Sequence, residues 1–471
     1  MEEQGFMVTS SVTAGKAFGV EVRELSPPRG ALLERDRPLS SSMLASDTQR
    51  TVMTAFSIML ALSRAQNTLL PVLDIVDQRV HDAHVPGWCE RRGWADFLLG
   101  LSDAELGRCE AEGLAVTLPT LDAVPETLTD LARQLVELSV LPALAAPALQ
   151  PKSGDFRGVA SRKQHQLTAL LGALTTLVAP ARRIVDVGAG SGHFARLSAQ
   201  HFGRETLGLE RDPERVARAT NRARADRGAG QLAMAEFAVI DAGSQALLLY
   251  PGDLAIGLHA CGELGDTLVR AVVDSGADLA LVSCCLQKIS TPERGPLSRA
   301  AHGFSLKKDT LGLSNLTSQA MGVESSIEAT IRARQARYAL RLLLRARGLE
   351  LAPGAEMQGV NRRQAHAGLA AIAQRSLTLH ALPQASDAEI RSFEREAQEQ
   401  FNRIRRLSLP RDMLARAIEL SVILDRAARL EESGYAVRVA TIFERAVTPR
   451  NISLFASKDG ARLPPVQDAA N

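Results

Sequence analysis

Two sets of residues in this sequence have types and spacings suited to chemistry. The first is VDVGAGSGHF at 185–194, an apolar run that meets Gly188, Ala189, Gly190 and Gly192 before a helical pattern begins near His193. Glycines allow a sharp turn and close backbone approach to a ligand, with the positive end of a helix behind them. Acids recur at the ends of successive apolar runs: Asp186 just before the loop, Glu210 beside Arg211 in TLGLERD, and Asp241 in VIDAG. A carboxylate at the second of these places can accept both hydroxyls of a ribose. The second set lies in GLHACGELGD at 257–266 and SCCLQKIS at 283–290, which carry His259, Cys261, Asp266, Cys284, Cys285 and Lys288.

The unperturbed pKa of a histidine lies near neutrality, so His259 could serve as a base. Equally, it could be an orienting imidazole packed under a ligand. Asp266 and Lys288 are further catalytic candidates, Lys288 to bind a phosphate or lower an acceptor pKa. His259, Cys261, Cys284 and Cys285 have the ligand types of a zinc site. Adjacent cysteines chelate one metal awkwardly, so the expectation is a pocket lined by small polarizable side chains, with no metal. A bridge between Cys284 and Cys285 is not expected, because vicinal disulfides are strained.

The elements that must position these residues follow from periodicity. Residues 1–45 mix Ser, Pro, Gly and charge, as in SPPRG at 26–30, and read as an irregular lead-in. From 46 to about 150 apolar residues recur at spacings of three and four, predicting a helical N-terminal domain. Within 151–460 short apolar strands then alternate with helices: ARRIVDVG, ETLGLE, AEFAVID, LAIGLHA and LALVSCC, the signature of a parallel sheet covered on both faces. A helical insertion is expected at about 310–433, including SSIEATIRARQARYALRLLLRARG at 325–348 with Ser and Glu in capping-box positions. YAVRVATIF and NISLFASK predict two closing strands, and 461–471 a tail.

The glycine loop departs from the G-x-G-x-x-G spacing of dinucleotide oxidoreductases, since its third glycine comes one residue early. With Asp186 before it, it resembles the S-adenosylmethionine-binding loop of methyltransferases, in which Asp241 would meet the adenine amine and His259 would lie beside the cofactor. The Asp/Asn-Pro-Pro-aromatic loop of many amino-methylating enzymes is missing after the fourth strand. The His-x-Cys-Gly and Cys-Cys motifs in its place resemble the methyltransferase-like proteins related to the tRNA 2'-O-methyltransferases that act in the acceptor stem. SRKQHQ at 161–166, RRGWADFLLGLSDAEL at 91–106 and TPRNISLFASK at 448–458 also look like segments of that family, so the resemblance spans about 155–460 and part of the N-terminal region. Gln166 replaces a usual acid, Gln287-Lys288 follows the cysteine pair where the tRNA enzymes have histidines, and their N-terminal CHHC-type zinc module is missing. The nearer likeness is therefore to the methyltransferase-like branch. The resemblance implies an α/β fold: a class I S-adenosylmethionine-dependent methyltransferase Rossmann-like sheet, with a helical N-terminal domain and a helical insertion before the last two strands.

Composition narrows the partners. The 471 residues carry a formal net charge of only +2, so no global field recruits polyanions. An RNA substrate would need a local patch, and the helix near 331–347 offers arginines 332, 334, 337, 341, 345 and 347. No apolar stretch is long enough to span a bilayer, and the start lacks a secretory layout, so a cytoplasmic protein with no membrane contact is expected. Five cysteines, two of them adjacent, do not suggest a disulfide framework. The pattern does not specify an oligomeric state. The function expected is methyl transfer to RNA; a small-molecule or protein methyltransferase and a non-catalytic scaffold of the same fold are the alternatives.

Overall fold

The computed structural model describes residues 58–145, 149, 156, 159–228, 235–241, 245–318, 324–352, 354–443 and 450–467. The lead-in expected over 1–45 lies outside the described residues. Seven strands form one sheet: β1 (Arg183–Val187), β2 (Thr206–Glu210), β3 (Ala235–Val239), β4 (Asp253–Ala260), β5 (Asp278–Ser283), β6 (Ala436–Thr441) and β7 (Ile452–Ser457). Their order is β3-β2-β1-β4-β5-β7-β6. The first five pair in parallel, and β7 is antiparallel to both neighbours. Strand order reverses between β1 and β4, which opens a crevice at the carboxyl ends of the strands, where ligands bind in open α/β sheets. The sheet is thus the parallel sheet that the alternation implied, in the class I Rossmann-like form that the resemblance implied.

Strands buried on both faces read as nearly continuous apolar runs, and the alternation of side chains sends them to two cores. Ile184, Ile256, Ala280, Val282 and Phe455 face one side, with Leu167 and Leu170 of α1 (Ser161–Ala173) and Phe194 and Leu197 of α2 (His193–Phe202). Val185, Val187, Ala255, Leu279, Leu281 and Leu454 face the other. The helix α3 (Pro213–Gly228) follows β2. The second face is covered by Leu268, Val269 and Val272 of α4 (Glu263–Ser275), and by Leu420, Ile423 and Leu424 of a later helix.

That later helix refines the insertion. Between β5 and β6 the described chain forms α5 (Glu324–Ala346), α6 (Leu369–Leu379), α7 (Asp387–Met413) and α8 (Ala415–Glu431). The side chains of the first turn of α5, where the capping box was expected, lie outside the described residues. Leu340, Leu343, Ile372, Leu377 and Phe401 give α5, α6 and α7 a core of their own. By contrast, α8 packs on the sheet. The helices before residue 140 are no separate body either. Trp88, Trp94, Leu106 and Leu128 share one core with Leu286 and Ile289 after β5 and with Leu414 and Ile418. The described residues all belong to one compact unit. The expected tail is anchored as far as Gln467, whose amide donates to Ala143 O at 2.8 Å beside the edge of the sheet.

One buried polar network ties these layers together. Arg426 of α8 is fully buried, and its three nitrogens donate to Asp266 Oδ1 at 2.8 Å, Ser283 Oγ at 2.6 Å and the Gly262 carbonyl at 2.8 Å. Arg294 bridges Asp266 at 2.9 Å and Asp425 at 2.8 Å. Burial alone would push the Asp266 carboxyl up, but Arg426 and Arg294 hold it below its ordinary value. Asp266 therefore leaves the catalytic set proposed above: both its oxygens are committed to a structural ion-pair cluster. Removing one partner of such a cluster strands a buried charge. We expect Arg426→Met to lower unfolding free energy by about 3–5 kcal/mol in chemical denaturation; a loss within measurement error would mean the network is dispensable.

Candidate active site

The glycine loop leaves β1 under the control of β2, whose Leu209 carbonyl accepts from the amides of Gly188 at 2.8 Å and Ala189 at 3.0 Å. Gly192 caps α2 at φ 72°, and a Cβ there would lie 2.6 Å from Phe237 Cζ and 2.7 Å from Ala219 Cβ. Both backbone sign and space demand glycine. Glu210 lies buried at the end of β2, with Oε2 accepting from the Gly190 amide at 2.8 Å and Oε1 from the Asp212 amide at 3.2 Å. It thus braces the loop while a carboxylate's further lone pairs remain for ribose hydroxyls. Arg211 follows it, exposed, and Asp241 is exposed just past β3, its amide donating to Gln245 Oε1 at 3.0 Å.

Asp186 is the unusual member. It is 2% exposed, and its Oδ2 is buried with no hydrogen-bond partner. Burial pushes its carboxyl up to about 7, against the smaller opposing influences of Lys163 and the Ala195 amide. At the start of α2, burial and then the positive charge of Lys163 push His193 down to about 4, and His193 Nδ1 is also buried without a partner. Lys163 and His193 were not among the residues singled out from sequence. Lys163 belongs to the SRKQHQ segment, which α1 lays over the crevice, so the resemblance of that segment was the signal that could have found it.

The second motif forms the other wall. His259 adopts φ 68°, a left-handed conformation that is rare outside glycine. Pairing of β4 with β5 slips there, from Leu258↔Val282 to Ala260↔Ser283, so His259 is the extra residue of a bulge. Strain of this kind gathers at functional sites. The imidazole Nε2 meets Gln166 Oε1 of α1 at 3.3 Å, and the His259 carbonyl lies 3.1 Å from Cys261 Sγ and 3.3 Å from Cys284 Sγ. Gly262 is forced as well: a Cβ would collide with the Lys288 carbonyl. That carbonyl accepts from the Glu263 amide at 3.0 Å, while the Lys288 side chain is exposed.

Cys261 and Cys284 are joined as a disulfide with Cα atoms 5.1 Å apart, so the bridge runs between β4 and β5 and not between the vicinal pair. The sulfurs of Cys261, Cys284 and Cys285 lie within 4.8 Å of one another. In the bridged form Cys261 and Cys284 offer no thiolate to a metal. Cys285 Sγ instead accepts from Arg450 Nη1 at 3.1 Å.

The residues fit S-adenosylmethionine on three counts: a glycine cradle that side chains would fill, a braced carboxylate at the end of β2, and a buried orphan carboxylate oxygen that a cationic ligand would satisfy. The last has a pH signature. Asp186 has an unfolded value of 3.8 and a folded value of about 7, so its contribution to stability is fully present below 3.8 and is lost as pH rises through about 7. A cation beside it favours the ionised form, so cofactor binding releases a proton and tightens as pH rises through that range. We expect Asp186→Asn to flatten this dependence and weaken binding by about 10-fold or more in calorimetry; an unchanged pH slope would remove Asp186 from the cofactor site.

A family comparison agrees with a methyltransferase reading of this domain. Residues 162–292 match a family model described as a methyltransferase domain. The chain is 31% identical over 153 residues to a glutathione S-transferase C-terminal domain-containing protein of Xenopus laevis, covering 32% of this chain and 23% of that protein. It spans less than a quarter of the length of the curated relatives it matches. Among solved structures it is similar to a SAM-dependent methyltransferase from Geobacter sulfurreducens in complex with S-adenosyl-L-homocysteine, at 24% identity over 25% of this chain and 46% of that one, with a TM-score of 0.21. It is also similar to magnesium protoporphyrin IX methyltransferase of Synechocystis PCC 6803 with bound SAH, at 14% identity over 70% and 93% of the two chains, with a TM-score of 0.26. The family match and the sheet order show a methyltransferase domain over residues 162–292, and the cradle at its strand ends fits S-adenosylmethionine.

Proposed function

We propose that this protein is an S-adenosylmethionine-dependent methyltransferase that acts on RNA. The observation that carries the reading is the wall opposite the glycine loop. Where many amino-methylating enzymes hold an amine, this chain presents His259 on a strained bulge, with Cys261 and Cys284 against its carbonyl. That arrangement is built from the two motifs that resemble the methyltransferase-like proteins, a group related to enzymes that methylate ribose 2'-hydroxyls in tRNA.

When bound, the cofactor supplies an electrophilic methyl group on its sulfonium. Asp186 and the glycine loop would hold it. In the tautomer whose Nε2 donates to Gln166 Oε1, the His259 ring would carry its lone pair on Nδ1. Such a base takes the proton that an acceptor hydroxyl loses, and the bulge keeps the ring from swinging away. Gln166 is a positioning residue, acting through His259. Much of the rate in methyl transfer comes from alignment, which these braced elements provide.

The decisive test incubates the full chain with cofactor labelled in its methyl group and with separated cellular RNA, protein and small-molecule fractions. Label in RNA, traced to one nucleoside, is expected. Label only in the protein or small-molecule fraction would overturn the RNA reading, and label in none, with cofactor bound, would point to a scaffold. On the labelled substrate, His259→Ala is expected to lower turnover by about 100-fold or more while cofactor affinity stays within a few-fold. Equal turnover in that variant would exclude His259 as the base.

A further inference from the structure

The basic helix expected to face RNA is largely neutralised within the protein. Arg332 pairs with Glu328, Arg341 with Glu356, Arg345 with Glu350 and Arg347 with Glu389. The charge that remains is concentrated in one place. A cavity of about 170 Å³ between α5, α7 and the segment near residue 80 is lined by Arg79, His81, Arg334, Arg337, Arg341 and Glu356, among others.

Four guanidinium groups thus meet one carboxylate, and that carboxylate is already engaged. Glu356 accepts from Arg341 at 3.3 and 3.4 Å and from the Gly354 amide at 2.7 Å. Among the described residues Arg79, Arg334 and Arg337 make no ion pair. Arg337 reaches only the Ala333 carbonyl of its own helix, and Arg334 lies over the Phe401 ring at 5.9 Å. Arg341 Nε is buried with no acceptor. Burial, and then the neighbouring charge of Arg334, hold Arg337 below its ordinary value. Asp412 is near enough to feel Arg334 and, more weakly, Arg411 and Arg79, yet burial pushes its own carboxyl up, and among the described residues it forms no ion pair. Like charges gathered around a cavity are costly unless an anion joins them.

We propose that this cavity is a phosphate-binding site for the methyl acceptor. Planar guanidinium forks converging from two segments suit the several acceptor oxygens of a phosphate. S-adenosylmethionine carries no phosphate, so the site does not serve the cofactor. Its wall is also connected to the acceptor side of the sheet: Asp77, two residues before Arg79, accepts from Lys307 Nζ and Thr310 Oγ1, each at 2.6 Å, in the stretch that follows β5. The assignment rests on the RNA reading for what carries the phosphate, and on the arginines alone for the phosphate itself.

The test uses the full chain, Arg79→Gln, whose exposed side chain leaves the fold intact, and the double variant Arg79→Gln/Arg337→Gln. Binding of pyrophosphate, adenosine 5'-monophosphate, adenosine and a single-stranded RNA oligonucleotide is measured by titration, with S-adenosylmethionine affinity as the control for folding. The phosphate-bearing probes, but not adenosine, are expected to bind, and to weaken at least 10-fold in the double variant and partly in Arg79→Gln, with cofactor affinity unchanged. Failure of every phosphate-bearing probe to bind, or unchanged binding in both variants, would overturn the site. If RNA is methylated with an unchanged KM in both variants, the cavity assignment falls and the RNA reading stands. If pyrophosphate binds through these arginines and no RNA accepts methyl, the site stands and the RNA reading falls.

Discussion

The structure depends on one buried guanidinium. Arg426 spends its three nitrogens on Asp266, on Ser283 at the end of β5 and on the Gly262 carbonyl in the loop after β4. These contacts lock together the two loops that carry His259, Cys261, Cys284 and Cys285. Gly265 is required for the same reason, since a Cβ there would lie 2.7–2.9 Å from the Arg426 guanidinium. A flexible pair of loops could not hold an imidazole in a left-handed bulge. A charge with no water to retreat to leaves those loops a single arrangement.

The cofactor half of the site was readable because its determinants are local. A glycine loop, an acid before it and an acid at the next strand end all lie within one strand-helix-strand unit, and the apolar runs of β1 to β5 announce strands with little ambiguity. The acceptor half was less so. Asp266 looked like a candidate acid, but its meaning is set by Arg426, which is remote in sequence and sits on a helix otherwise read as part of an insertion. The arginines of α5 looked like a solvated basic face, yet most find acids in α5 itself, in the turn after it or in α7. Only tertiary contacts could show that Arg334 and Arg337 remain unpaired beside Arg79. The bridge from Cys261 to Cys284 likewise depends on β4 and β5 being neighbours.

The N-terminal helices show why periodicity identifies elements better than domains. Their apolar stripes were legible, but a stripe does not say what covers it. Here it is covered by residues that follow β5 and by α7 and α8, so these helices and the acceptor side of the sheet are built from one core. A change in either is felt by the other. α1 does the same for the cofactor side, bringing Lys163 toward Asp186 and Gln166 to His259.

The position of β7 has a consequence for how the chain reaches this state. β5 finds its second neighbour only in β7, the last of the described strands, after α5 to α8 have been made. On the ribosome, the open edge of β5, with Leu279, Leu281 and Val282, waits unpaired while much of the second half of the chain is synthesised. Such an edge invites pairing with other nascent chains. Termination between the end of β5 at Ser283 and the start of β7 at Ile452 would leave the five parallel strands complete yet uncapped, a fragment suited to chaperone capture and degradation more than to partial activity.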